Sequence, residues 1–288
     1  MTDAIRFEKD ADNIVTLTMD MPGQSANTMN ADFREAILAI ADRIEAEIDS
    51  ISGVIYASAK STFFAGGDLK ELIQVEKENA AEFFQMVEKI KAPLRKIETQ
   101  GIPVVAAING AALGGGFEIC LASHHRIAIN NPKLKVGLPE VTLGLLPGGG
   151  GVARMVRLLG LEAAFPFLME GKQVNPEKAL KAGLIHELAD DANDLITKAK
   201  TWIKANPKST QPWDVKGYKL PGGAPSHPAV AQKLAIVPSI LRQKTKGCYP
   251  APEKILAAAV EGAQVSFDQA CTIESRYFTE LTTSQIAK

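Results

Sequence analysis

Apolar positions along this chain switch repeatedly between two spacings. Asn13 to Met19 (NIVTLTM) alternates, with β-branched residues, and predicts a first strand that Met21-Pro22-Gly23 breaks. Asp32 to Ile48 then sets Phe33, Ile37, Ile40, Ile44 and Ile48 at helical intervals. Gly53 to Ser58 (GVIYAS) predicts a second strand, and Phe83 to Ile97 a long amphipathic helix. Ile102 to Ile108 (IPVVAAI) is continuously apolar between Gly101 and Asn109-Gly110, which fits a buried strand. Ile119 to Ser123 is apolar enough for a buried helix, and Arg126 to Ile129 and Leu134 to Val136 read as short strands. Repeated strand–helix units before residue 140 argue for an α/β core.

The second half is mostly helical. Val152 to Leu159 (with Gly160 at its end), Glu162 to Met169, Pro176 to Ala182 and Leu195 to Ala205 have helical spacing, and Leu184 to Leu188 is a short strand. Asn206 to Pro228 is rich in Pro and Gly and reads as a structured loop or linker. Helical pattern resumes over Ala229 to Lys244 and over Pro252 to about Leu281. The expected division is a core over residues 1–205 and a linker with a helical C-terminal region over residues 206–288.

Two strand-to-helix junctions carry the chemistry. In Leu113 to Glu118 (LGGGFE), three glycines let backbone N–H groups approach a ligand, and the following helix N-terminus adds partial positive charge. Glu118 stands in that helix's first turn, a layout for stabilising an oxyanion and moving a proton beside it. A tight turn with a solvated glutamate has the same sequence. Phe63 to Glu71 (FFAGGDLKE) is the second junction, where Asp68 with Glu71 makes a capping-box-like pair and the Gly67 N–H points out ahead of the helix. Strands arriving at both turns would let the two N–H donors face one pocket. Leu138-Pro139-Glu140-Val141 starts a further turn or helix, with Pro139 at a favoured first-turn position. Two carboxylates, Glu118 and Glu140, could divide acid and base roles if the chain brings them to one pocket.

Other chemistries find little support. Gly148, Gly150 and Ala153 match G-x-G-x-x-A, but Gly144 and Pro147 spoil the strand a dinucleotide fingerprint requires. A Gly-rich helix entry is the better reading. His124 and His125 are adjacent, have no metal-ligand spacing and read as structural or surface residues, so no metal site is expected. No G-x-S-x-G motif is present. With 32 Lys+Arg against 33 Asp+Glu and pI near 6.5, there is no electrostatic case for nucleic acid or an anionic membrane. Trp213 and the tyrosines are too scattered for a base-stacking platform. Cys120, Cys248 and Cys271 follow no metal or disulfide pattern, which fits a reduced compartment. The stretch from Met1 to Glu8 lacks leader features, and no apolar run approaches a membrane span. The expected setting is cytoplasmic, or the mitochondrial matrix in a eukaryote.

Three motifs in order now support a resemblance: Phe64 to Glu71, Ile108 to Glu118, and Gly137 to Val141 followed by Gly144 and Pro147 to Gly151. Over roughly residues 12 to 190 the chain resembles the enoyl-CoA hydratase (crotonase) family. Gly247 to Pro252 (GCYPAP) and Glu274 to Phe278 (ESRYF) are similar to the end of the hydratase half of multifunctional fatty-acid oxidation α-subunits. In those subunits a 3-hydroxyacyl-CoA dehydrogenase follows. The expectation is an excised hydratase half or a stand-alone relative.

The resemblance implies an α/β fold, a crotonase-like ββα spiral core with a helical C-terminal region. Its implied substrate is an acyl-CoA thioester, with no cofactor. Motif position assigns the oxyanion hole to the N–H groups of Gly67 and Gly115, and Glu118 and Glu140 to catalysis. Ala65, Gly66, Asp68, Leu69, Gly114, Pro139 and Gly148 fall in substrate-binding positions. The implied reaction is hydration of a trans-2-enoyl-CoA, with Δ3-Δ2 isomerisation open to the same groups. A fused or associated dehydrogenase and thiolase, and a homo-oligomer, are the implied partners. The alternatives are an isomerase or thioester hydrolase of the same fold, and a CoA-binding or assembly module without turnover. Retention of both glutamates favours the hydratase. Phe117, His124-His125 and the C-terminal extension depart from the family pattern, the last of these bearing on its usual trimer.

Overall fold

The computed structural model describes residues 4–287; Met1–Asp3, part of the N-terminal stretch read above, and Lys288 lie outside the described residues. Contacts divide the chain into two compact units, neither continuous in sequence. Unit 1 comprises Met1–Asp68, Ile90–Gly137 and Gln173–Gln211, and unit 2 comprises Leu69–Lys89, Leu138–Lys172 and Pro212–Lys288.

Unit 1 is built on a mixed sheet. Its strands are β1 (Ile5–Lys9), β2 (Ile14–Met19), β3 (Gly53–Ser58), β4 (Val104–Ile108), β6 (His125–Ile129) and β8 (Glu187–Ala189), in that spatial order. The β1–β2 pair is antiparallel and every later pair is parallel. Every residue of β4 is buried, which accounts for its unbroken apolar sequence. Two further short strands, β5 (Ala112–Leu113) and β7 (Val136–Gly137), pair in parallel on their own. One face of the large sheet packs Ile14, Ile55, Val105, Ala107 and Ile127 against Leu195, Ala199 and Ile203 of the Ala192–Ala205 helix. That helix starts where Asp191 accepts hydrogen bonds from the Asn193 and Asp194 N–H groups. The Ala31–Ala46 helix begins in the same way, with the Asn30 side chain accepting from the Phe33 N–H. It buries Phe33, Ile37, Ile40 and Ile44 and ends at Ala46, so the helical pattern is followed that far while Ile48 begins a separate short turn.

The histidines belong to this unit. His125 opens β6 and does not lie on a helix; its ring stacks on His186 (centroids 4.7 Å) and on Trp202 (4.5 Å). His124 Nδ1 accepts from the Val104 N–H at 3.1 Å. The neighbouring Arg126 is buried, its guanidinium donating to the carbonyls of Leu184 (2.8 Å) and Ser123 (2.8 Å). The pair that departed from the family pattern is thus a packing device beside a buried cation.

Unit 2 is helical. It contains Gly151–Leu159, Leu161–Met169, Pro228–Leu234, Val237–Thr245, Ala251–Gly262 and Phe267–Thr282. Two stretches that the sequence pattern runs together are broken here. Pro238 has no N–H for the carbonyl a turn earlier, so 229–244 becomes two helices around Ala235 and Ile236. Ser266 and Gln269 form a capping box that restarts the chain after Gly262. Trp213 and Phe267 stack at 5.8 Å beside Ala153 and Ala270. The Glu274 carboxylate is buried and accepts from the N–H groups of Gly150 (2.7 Å) and Ala153 (3.1 Å). The Gly-rich run thus enters a helix, Gly151–Leu159, and a side chain takes N–H groups at its N-terminus.

Candidate functional site

Two glycine turns meet inside unit 1. After β3 the chain buries Phe63 and Phe64, whose N–H groups both donate to the Ala111 carbonyl (3.0 and 3.1 Å). Leu113 N–H returns a bond to Phe64 O at 3.2 Å, and isolated bridges join Phe64 to Ala112 and Gly67 to Met29. The Gly114 N–H donates to Gly137 O at 2.9 Å, tying the second turn to the end of β7. Side by side, the turns leave little room: a β-carbon on Gly66 would lie 3.3 Å from Leu113 O, and one on Gly116 only 2.4 Å from Phe64 O. Gly66 also has φ +105°, a region open to glycine and strained for other residues.

The fully buried Gly115–Leu121 helix starts at this point. The N–H groups of Phe117 and Glu118 fold back on Gly114 O at 2.8 and 3.0 Å. The Gly115 N–H, first in the helix, has no such intrahelical partner. Among the described residues neither it nor the Gly67 N–H donates to a protein acceptor. Glu118 is 3% exposed in the first turn, where the helix dipole favours a negative charge. The bland reading of Glu118 as a solvated first-turn residue is overturned by that burial.

Glu140 belongs to unit 2. It begins a short 3-10 turn, Glu140–Leu143, with Pro139 as the capping residue and not in the first turn. The turn ends at Gly144, which is left-handed at φ 76°. Gly148, further along, is buried, with the Phe278 ring where a β-carbon would stand. Thus Gly66, Gly67, Gly114, Gly115 and Glu118 are brought together in unit 1, with Ala65 exposed and Asp68 partly exposed beside them. Leu69, Pro139, Glu140 and Gly148 are assigned to unit 2. That unit also has a cavity of about 610 Å³ lined by Val141, Phe165, Met169, Ile240, Leu241 and Tyr249.

Sequence reasoning missed Asn27, the buried residue behind the first turn. Its Oδ1 accepts from Met21 N–H (3.1 Å), and its Nδ2 reaches Met19 O (3.2 Å), Ser58 Oγ (2.9 Å) and Phe63 O (3.2 Å). The Asn27 carbonyl also accepts from the Ala65 N–H at 2.8 Å. Nothing in the surrounding Ser25-Ala26-Asn27-Thr28 marks this role. Among the described residues no cluster of His, Cys, Asp and Glu is placed to hold a metal ion, and no helix is long and apolar enough to cross a membrane.

Comparison with known proteins converges on one group. A family model described as enoyl-CoA hydratase/isomerase matches residues 9–211. A fatty acid oxidation complex subunit alpha from Idiomarina loihiensis is 36% identical over 96% of this chain, and one from Shewanella halifaxensis is 35% identical over 95%. The chain spans only 39% and 38% of those relatives' lengths. Among solved structures, an enoyl-CoA hydratase from Bacillus anthracis is 25% identical, covering 98% of this chain and 92% of that one, with a TM-score of 0.64.

Proposed function

The chain belongs to the enoyl-CoA hydratase/isomerase family, and on that premise we propose that it adds water to a trans-2-enoyl-CoA in syn fashion, giving the 3-hydroxyacyl-CoA. The carrying observation is the pair of uncommitted backbone N–H groups, Gly67 and Gly115, in abutting turns next to a buried glutamate. A thioester carbonyl placed between them would gain two donors fixed by the fold before reaction. As water oxygen bonds to the β carbon, the π electrons move onto the thioester oxygen. Preorganised donors stabilise that charge, at about 3 kcal/mol for each one lost.

The proton balance falls to the carboxylates. Glu118 takes a proton from the attacking water while Glu140, starting in its acid form, delivers one to the α carbon. Passage of the proton from Glu118 back to Glu140 restores the pair, so the net change is one water added. The pair can act in concert, and the scheme requires Glu140 to reach the same substrate. Water and side chains suffice, so the reaction draws on no cofactor. Moving a double bond from Δ3 to Δ2 would use the same enolate and the same carboxylates.

The relatives named as α subunits of a fatty acid oxidation complex support a place in fatty-acid degradation. The 3-hydroxyacyl product would then pass to a dehydrogenase, fused or associated, and onward to a thiolase. The test follows loss of enoyl-thioester absorbance with a short trans-2-enoyl-CoA. Wild type should turn over, and Glu118→Gln and Glu140→Gln should each lose several orders of magnitude while still binding CoA. A wild type that binds the thioester without hydrating it would redirect the reading to an isomerase or a binding role.

A further inference from the structure

Two tail motifs of unit 2, GCYPAP and ESRYF, have so far no part in the chemistry. Both reach the segment that carries Glu140. The Tyr249 hydroxyl accepts from the Gly144 N–H at 2.9 Å and donates to the Val141 carbonyl. These two groups also form the closing bond of the turn, Gly144 N–H to Val141 O at 3.1 Å. The phenol is therefore bonded to both partners of the bond that ends Glu140–Leu143. A turn of four residues has no long ladder to hold it, so its position depends on such outside bonds. Beyond Gly144, Phe278 covers Gly148, and Glu274 fixes the Gly150 and Ala153 N–H groups.

We propose that Tyr249 is a positioning residue for Glu140: its hydroxyl sets the turn, and with it the carboxylate, from the C-terminal part of unit 2. This rests on the hydratase reading above. The mechanism needs no contact between Tyr249 and substrate. An offset of about 1 Å in a reacting group can cost a hundredfold, so loss of the hydroxyl with the ring retained acts on rate more than on folding.

The test compares wild type, Tyr249→Phe, Glu140→Gln and the double variant in the full chain, using a short trans-2-enoyl-CoA, with thermal unfolding and amide hydrogen exchange over residues 140–145. Tyr249→Phe should lower kcat about tenfold to a hundredfold with KM and Tm nearly unchanged, and should speed exchange at Gly144. In the Glu140→Gln background the same substitution should cost almost nothing, because residues acting through one group are not additive. An equal loss in both backgrounds, or unchanged exchange and kcat, overturns the proposal. A wild type with no turnover refutes the hydratase reading, and the positioning role with it. Faster exchange in Tyr249→Phe would then show that the clamp exists without serving this reaction.

Discussion

A β-carbon built on Gly66 would stand 3.8 Å from the amide nitrogen of Gly115, so the two turns of unit 1 meet backbone to backbone. The consequence is unequal tolerance to alanine. At Gly66 an alanine must keep backbone φ +105°, a strain of about 1–3 kcal/mol, and its β-carbon presses on the Leu113 carbonyl. At Gly115 the one tight contact of the β-carbon is with the Met29 methyl end at 3.2 Å, which can swing aside, and the Gly66 backbone lies at an ordinary 3.6 Å. Gly66→Ala should lower the urea midpoint and reduce hydration at least tenfold, while Gly115→Ala should stay within about 1 kcal/mol of wild type. Equal midpoints for the two variants would contradict this account of the turns.

Stability should fall in mild acid because of the stacked histidines. Burial, followed by the charge of Arg126, holds His125 down to about 4 and His186 down to about 3. His186 Nδ1 accepts from the Arg126 N–H at 3.1 Å, so a proton there would oppose a donor as well as a cation. Both rings are neutral in the fold, whereas in the unfolded chain they titrate near 6.5. Below that pH the unfolded state binds more protons, so its free energy drops relative to the native state. The contribution is complete above about pH 6.5 and is lost progressively as pH falls toward the folded values. Urea unfolding between pH 7.5 and 4.5 should show this slope, and His186→Gln should flatten it. An unchanged slope in that variant would place the acid sensitivity elsewhere.

How much of this was readable in sequence depended on how local the cause was. The Gly53–Ser58 strand and the Gly151–Leu159 helix follow from apolar spacing and flanking glycines, and the structure keeps them nearly to the residue. β1 was missed because Ile5-Arg6-Phe7-Glu8-Lys9 is an edge strand with only Ile5 buried, so its composition reads as a polar terminus. The restart at Ser266 did carry a legible signature, Ser266 with Gln269, hidden within a long helical pattern. The Gly-rich junctions marked where backbone could approach backbone, and the fold brings those two turns together. Asn27, Tyr249 and Glu274 act through partners far away in the chain, such as Ser58, Gly144 and Gly150, and no spacing rule encodes such pairs.

Gly148 and Phe278 should behave as a coupled pair. A β-carbon on Gly148 would lie 2.5 Å from the Phe278 ring, which also packs on Phe83 at 5.6 Å. Gly148→Ala should therefore destabilise by about 1–3 kcal/mol through overpacking. Phe278→Leu alone should also destabilise, by lost burial. In the double variant the alanine has somewhere to go, so the combined loss should be smaller than the sum, a coupling of about 1 kcal/mol in a double-mutant cycle. Strict additivity in thermal or urea unfolding would mean that the ring does not constrain this glycine.

Asn27 allows a sharper test, because its amide cannot be replaced by a carboxylate. The side chain is wholly buried, and the two protons of Nδ2 are shared among Met19 O, Ser58 Oγ and Phe63 O. An ionised Asn27→Asp would still accept from the Met21 N–H but would turn a negative oxygen toward two carbonyls. Burial and those carbonyls would raise its folded pKa above the unfolded value near 3.9. Stability is then best retained below that unfolded value and is lost as pH rises. The variant should trail wild type by about 3 kcal/mol at neutral pH, with the gap narrowing by pH 4.5, where wild type and variant share the histidine effect. A gap that is the same at both pH values would show that burial does not penalise the carboxylate, and no gap at either pH would show that the first glycine turn does not depend on this buried amide.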